Sequence, residues 1–194
     1  HNVAHSFPTR RSSDLFFAAY PLPGPDFDWA KAGVPADWEH HLKGFSAHWN
    51  KNTNPAWAFD VWWMNQFPRK ELFTHSSGGY CTLSFIPTLG TMLLGLLAGQ
   101  WLMSDREPVK KLAGLAFASA ACLGIAYASA HFDICPIVKR IWTPAWVFFA
   151  GGCGLGILGG YYLVVDVLGF QKWAFPLIVI GSNAFVADYS EWVV

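Results

Sequence analysis

Along this chain, apolar residues gather into long uninterrupted runs and polar residues fill the stretches between them. Tyr80–Met103 carries no charged side chain over 24 residues. Leu112–Ala130 and Ile141–Val165 are also free of charge, and Trp173–Ala187 begins a fourth such run. A helix needs roughly 20 apolar residues to cross a bilayer core. Helices of soluble domains keep one polar face, whereas these runs are apolar on every face. The pattern predicts an all-α membrane fold, a multi-pass transmembrane helix bundle with four spans in residues 80–194. The spans are joined at Ser104–Lys111, His131–Arg140 and Asp166–Lys172.

Ahead of the first run, Tyr20–Gly79 is polar, aromatic and rich in proline. Pro21, Pro23 and Pro25 rule out a regular helix at its start, because proline lacks the N–H and clashes with the preceding turn. A connection this long exceeds what a simple link between helices needs, so a functional external loop is expected. Within it, Ala56–Phe67 predicts a short amphipathic helix lying on the membrane surface. Asn54 supplies its N-cap and Pro55 its first turn.

Charge sets the orientation. Arg106, Lys110, Lys111 and Lys172 share one side of the bundle, against Lys139 and Arg140 on the other. Cytoplasmic connections carry the excess of Lys and Arg, so Ser104–Lys111 is expected in the cytoplasm. The long loop and His131–Arg140 are expected to face outward, with residues 20–79 in the periplasm of a bacterial inner membrane.

Composition agrees with this picture. Hydrophobic residues make up 53% of the chain and charged residues 13%, against about 25% charged in soluble domains. Lys+Arg and Asp+Glu balance at 13 each, which leaves no basic surface for nucleic acid. Tyr80, Trp101, Trp142 and Trp173 flank the apolar runs, where aromatic rings favour the lipid–water interface. Cys81, Cys122, Cys135 and Cys153 lack a CxxC spacing and read as small buried thiols with no metal. His5–Leu15, HSFPTRRSSDL, resembles the translation of a sequencing-adapter oligonucleotide. Residues 1–15 are therefore expected to be an artefact, Phe16–Ala19 the tail of an upstream span, and the chain a fragment of a longer protein.

Several motifs carry chemistry. Gly154-x-Gly156-x-x-Gly159 matches a dinucleotide fingerprint but sits inside an apolar run with no strand before it, so it is rejected as a phosphate site. Gly152, Gly156 and Gly160, like Gly95 and Gly99, recur every fourth residue, a spacing that lets helix backbones approach closely in lipid. Pro87 and Thr88 interrupt the first run and read either as a kink or as a broken helix lining a cavity. In Pro136–Pro144, Lys139 and Arg140 stand beside Trp142. They read either as snorkelling anchors or as a cationic, stacking contact for an anionic or sugar substrate. Gly181-Ser182-Asn183 puts an amide inside the last run, where it either joins helices or lines a ligand path. In the loop, His48, Asn50, Asn52, Asn54, Asp60 and Asn65 cluster among aromatics, a combination suited to carbohydrate. If His48 does chemistry, general base is its natural role.

The order of several segments is similar to one family. HWNKNTNPAWAFDVWWMNQFPR is followed by GGYCTLSFIPTLGTMLLGLLAG, PIVKRIWTPAWVF, YYLVVDV and GSNAF. Together, over roughly Tyr20 to Asn183, they resemble the heparan-alpha-glucosaminide N-acetyltransferase family and its bacterial members. The resemblance implies a membrane acyltransferase that moves an acetyl group from cytoplasmic acetyl-CoA to a terminal amino sugar across the membrane. The family's catalytic His and neighbouring Asn fall in an earlier span, so no catalytic residue is assigned here. The family also tends to place Tyr five residues after the Asn matched by Asn183, where this chain has Asp188, with Tyr189 one later.

The substrate contacts expected in this chain are Asp60, Asn65, Lys139 and Trp142, with Asn183 lining the cavity. Acetyl-CoA is the expected donor. The expected partners are the lipid bilayer, an amino-sugar or polysaccharide acceptor, and a second copy in a homo-oligomer. The rival reading is a transporter or exporter of a sugar or lipid-linked intermediate, built on broken, glycine-rich spans; a membrane scaffold is the third.

Overall fold

Leu is the commonest residue over 85–103 and favours helix, and the computed structural model, which describes residues 20–172, forms α3 there. The helices in chain order are α1 (Trp29–Ala32), α2 (Pro55–Met64), α3 (Phe85–Met103), α4 (Pro108–His131) and α5 (Pro144–Tyr162). Short 3-10 turns cover Gly44–Trp49 and Thr82–Ser84, and a π turn, Leu163–Val167, extends α5. The described residues contain no strand. Three helical runs, Thr82–Met103, Pro108–His131 and Pro144–Val167, are long and apolar enough to cross a membrane. The fourth apolar run, Asn183 and the first 19 residues lie outside the described residues.

The ends of these helices follow from local chemistry. Pro108 and Pro144 open α4 and α5, positions where a missing N–H leaves nothing unpaired. Thr143 caps α5 by accepting from the Trp146 N–H. The third helix therefore begins at Pro144 rather than Ile141, and it continues past Val165 because the π turn carries Asp166 along. Pro87 produces neither a kink nor a break. It lies in the first turn of α3, which runs unbroken to Met103, and helix N-termini have no use for the N–H it lacks. The hydroxyl of Thr88 donates to Ser84 O at 2.7 Å beside it.

The three long helices meet around Ala98, Leu115, Cys122 and Leu155, with Trp101 and Phe148 against them. The most extensive packing joins α4 to α5. A Cβ on Gly152 would stand 2.8 Å from Leu123 Cγ, and one on Gly156 would stand 3.0 Å from Ser119 Oγ. The Ser119 hydroxyl donates to Gly152 O at 2.7 Å across the seam. Gly152 and Gly156 are thus the close-packing positions the spacing predicts. The third is Gly159, against Leu115, rather than Gly160, which has no described atom within 4 Å of a Cβ. Gly95 and Gly99 also meet no described atom within that distance. Close approach for α3 comes from Leu94 over Gly151 and from the Trp101 ring over Gly114. Trp101 also donates to Lys111 O at 3.0 Å and lies under Arg106, 3.8 Å from ring centroid to guanidinium.

The long loop and residues 132–143 lie at the same end of the helices. Ser46 donates to Asp133 O at 3.5 Å, Arg140 to Gly78 O at 3.3 Å, and Ser84 to Ile141 O at 3.3 Å. Ala56, Cys81 and Ile141 form a second apolar cluster at this joint, flanked by Trp49, Leu83 and Val138. The helix expected at Ala56–Phe67 is present as α2, starting one residue earlier and ending three residues earlier, with Asn54 as its cap. Its polarity runs opposite to that of an ordinary surface helix. Its one charged residue, Asp60, is buried, while Trp62 and Trp63 are exposed.

Candidate functional site at the loop end

The loop residues that read as carbohydrate ligands are consumed by the loop itself. Asn50 bonds both the N–H and the carbonyl of Leu42, at 2.8 and 3.1 Å. Asn52, in the left-handed region at φ 53°, donates to Ala32 O and Ser76 O. Asn54 donates to Asn50 O at 2.8 Å while capping α2 through Trp57 N at 2.9 Å. All three are buried. An irregular loop leaves backbone groups unpaired, and side-chain amides, carrying both donor and acceptor, satisfy them without helix or sheet.

Asp60 and Asn65 belong to the same scaffold. Both carboxylate oxygens of Asp60 accept from Thr82 N, at 3.1 and 2.9 Å. This ties α2 to the 3-10 turn that leads into α3. Asn65 donates to Val61 O and Phe73 O and accepts from Phe73 N at 2.8 Å. It pins the returning segment of the loop to the end of α2. Their hydrogen bonds within the chain account for these two side chains, so a substrate is not needed to explain them.

Lys139 and Trp142 are placed differently. The Trp142 N–H donates to Lys139 O at 3.0 Å, closing a turn over Lys139–Trp142. Trp142 sits at φ 52°, a conformation that costs a bulky L-residue on the order of 1–3 kcal/mol and that clusters at functional sites. The knot beneath holds it there. Thr143, with no exposed surface, donates to Pro136 O at 2.7 Å and accepts from Val138 N at 3.1 Å and Trp146 N at 3.2 Å. The Trp142 indole reaches Thr91 Oγ1 of α3 at 3.4 Å and meets the Trp146 ring edge-on at 6.4 Å. Lys139 is exposed at the rim, and among the described residues no hydrogen bond or ion pair holds its ammonium.

Trp146 and Thr143 did not stand out in the sequence. The Trp146 Nε1–H is buried and has no acceptor among the described residues, and a buried donor left unpaired costs about 1–3 kcal/mol. Trp142, Trp146, Phe149 and Tyr127 follow one another through ring contacts of 5.5–6.4 Å. The signal available for Thr143 was its place just before Pro144, the pairing of a cap with a first-turn proline.

The remaining titratable groups at this end have quieter roles. Burial, and secondarily the Asp60 carboxylate, push the Cys81 thiol up to about 12. Burial also raises Cys135, partly offset by Ala145 N–H and the Thr143 hydroxyl. Neither supplies a thiolate nucleophile at neutral pH. His48 is half-buried with its ring edge-on to Phe45 at 5.3 Å, and its Nδ1 has no partner among the described residues. Nothing there orients it as a general base. Among the described residues no three His, Cys, Asp or Glu side chains come together as a metal would require. Comparison with known proteins adds no further constraint: no family model, no curated protein and no solved structure matches the chain.

Proposed function

We propose that this chain is part of a multi-pass membrane acyltransferase that takes acetyl from acetyl-CoA and passes it to an amino sugar at the loop end. The order of segments resembling the heparan-alpha-glucosaminide N-acetyltransferases supports it, and so do three helices of bilayer-spanning length. The exposed Trp62, Trp63 and Phe67 on and beyond α2 fit a loop resting at the lipid headgroups. In this orientation residues 20–79 are periplasmic and Ser104–Lys111 is cytoplasmic.

The observation that carries the reading is the strained Lys139–Trp142 turn. Its exposed Lys139 has no hydrogen bond or ion pair among the described residues, and the Trp142 ring meets that of Trp146, whose buried N–H has no acceptor among the described residues. Trp142 stacks on the sugar face, Lys139 meets an anionic or hydroxyl group on the acceptor, and Trp146 donates to a hydroxyl that enters deeper. Acyl transfer forms a bond from the amine nitrogen to the acetyl carbonyl carbon. The carbon–sulfur bond breaks, the amine proton passes to a base, and coenzyme A leaves as the thiol. Donors must hold the oxyanion that develops on the way. The resemblance puts the family's base in an earlier span, so the residues named here bind and orient the acceptor.

The test is to incubate membranes containing the natural protein with labelled acetyl-CoA and a glucosamine-terminated oligosaccharide. Labelled N-acetyl product is expected. Lys139→Ala and Trp142→Ala should each lower kcat/KM about tenfold or more, the loss of one charge-assisted or stacking contact. Sugar crossing the membrane with no acetylated product would replace this reading with transport.

A further inference from the structure

Beyond α2 the chain makes a short loop, residues 66–72, whose base is closed by one side chain. Asn65 donates to Phe73 O at 2.9 Å and accepts from Phe73 N at 2.8 Å. All seven residues between them are exposed. Phe67 and Leu72 are among them, with Arg69 and Lys70 in between and Glu71 as the one acid. The Arg69 guanidinium lies over the Phe73 ring, 5.4 Å from its centroid, and among the described residues no ion pair joins either cation to an acid. The apolar surface continues onto α2. Phe67 meets Trp63 edge-on at 5.3 Å, Trp63 stacks with Phe59 at 6.2 Å, and Trp62 tilts against Trp63 at 6.0 Å. Contiguous exposed apolar surface rimmed by polar groups marks an interaction site.

We propose that this patch is a site for anionic phospholipid: Trp62, Trp63, Phe67 and Leu72 enter the bilayer interface while Arg69 and Lys70 meet the lipid phosphate. Three observations favour a lipid surface over a soluble partner. The first is depth. Asp60, in the middle of α2, accepts from Thr82 N at 2.9 Å, and Thr82 is the first residue of the membrane-crossing run Thr82–Met103. Trp62 and Trp63 follow Asp60 by no more than about 5 Å of helix at ~1.5 Å per residue. The clasp therefore holds the indoles near the level at which α3 leaves the hydrocarbon, where Tyr80 and Phe85 are also exposed. The second is composition. The patch is built mainly from rings, and indoles favour the headgroup level over both water and hydrocarbon. The third is charge. Two cations without acid partners stand beside those rings, complementary to phosphate, and a cation close to an anionic leaflet is attracted to it. The site rests on the loop end facing the bilayer surface, as proposed above, and not on acetyl transfer. Asp60 and Asn65 then act as its positioning residues, one setting the level of α2 and the other closing the loop that carries the cations.

Fluorescence quenching in bilayers tests it, on the natural protein in nanodiscs of mixed phosphatidylglycerol and phosphatidylcholine. With the native cysteines replaced by alanine, Leu72→Cys carries a polarity-sensitive fluorophore. A nitroxide at the lipid headgroup should quench it, and an aqueous nickel chelate should not reach it. A nitroxide on phosphatidylglycerol should quench severalfold more than one on phosphatidylcholine, and Arg69→Ala with Lys70→Ala should make the two lipids equal. Quenching by the chelate and not by the lipids overturns the site and leaves the patch to a soluble partner or to another part of the protein. Equal quenching by the two lipids with both cations present overturns the phosphate contact. A second measurement keeps the native cysteines, so it holds even where their replacement impairs folding. Spin-labelled phosphatidylglycerol should associate severalfold more with the wild type than with the Arg69→Ala, Lys70→Ala variant, and equal association overturns the proposal. Neither readout involves acetyl-CoA, so a failure here is distinct from a failure of acetyl transfer.

Discussion

In residues 20–79 the fasteners are side chains that reach for backbone: Asn50, Asn52, Asn54, Asn65 and Asp60 each close a stretch with no regular structure of its own. In the three long helices the fasteners are side chains that are absent: Gly151, Gly152 and Gly156 let Leu94, Leu123 and Ser119 come in close. The difference has a common cause. Helices satisfy their own backbone and need only contact, whereas an irregular loop must find partners for every buried N–H and carbonyl. Polar side chains in such a loop are therefore poor guides to ligand binding. The informative ones are those left without a partner among the described residues, Lys139 and the Trp146 N–H.

The comparison can be broken from the helical side first. Gly152→Leu drives a side chain into Leu123 and Cys122 and should destabilise the protein by about 3 kcal/mol or more, the upper range of overpacking. Gly160→Leu, at a position where a Cβ meets no described atom within 4 Å, should cost less than about 1 kcal/mol. Thermal unfolding of the two variants in detergent separates them, and equal losses would remove the seam. On the loop side, Asn65→Ala leaves Phe73 N and Phe73 O unpaired and should cost about 1–3 kcal/mol. Asp60→Ala should cost a similar amount by stripping Thr82 N of its acceptor. Proteolysis of the loop reads both, and wild-type resistance would show that these amides do not hold it.

A smaller effect sharpens the joint between the two regions. With its pKa raised to about 12, Cys81 stays a protonated thiol at pH 8, and maleimide labelling of the folded protein should be far slower there than at an exposed cysteine. The thiol's contribution to stability is intact below its unfolded value of 9.0 and is lost as pH rises from there toward about 12. Asp60→Ala removes the lesser of the two causes and should speed labelling. Rapid labelling of the wild type at pH 8 would mean that the Ala56–Cys81–Ile141 cluster is open.

Much of the helical architecture was legible in the sequence because a charge-free run longer than a bilayer core has few alternatives. The ends were less legible. Pro87 looked like a kink or a break in a span starting at Tyr80, but the 3-10 turn at Thr82–Ser84 delays α3 until the proline falls in its first turn. Gly95 and Gly99 had the spacing for close contact, yet spacing does not say which face meets a neighbour, and theirs meets no described helix. At the candidate site, Lys139 and Trp142 drew notice because cations and indoles are conspicuous. The positive φ of Trp142 and the hub at Thr143 were not, since both depend on how residues 136–146 fold back on themselves.

The central claim is that Lys139 serves a ligand while Asn65 serves the loop. Acetyl transfer per folded molecule, measured for Lys139→Ala and Asn65→Ala side by side with thermal unfolding, tests it most directly. Lys139→Ala should keep wild-type stability to within about 0.5 kcal/mol and lose about tenfold or more in kcat/KM, while Asn65→Ala should lose stability and keep its activity per folded molecule. Full transfer by Lys139→Ala would contradict the account.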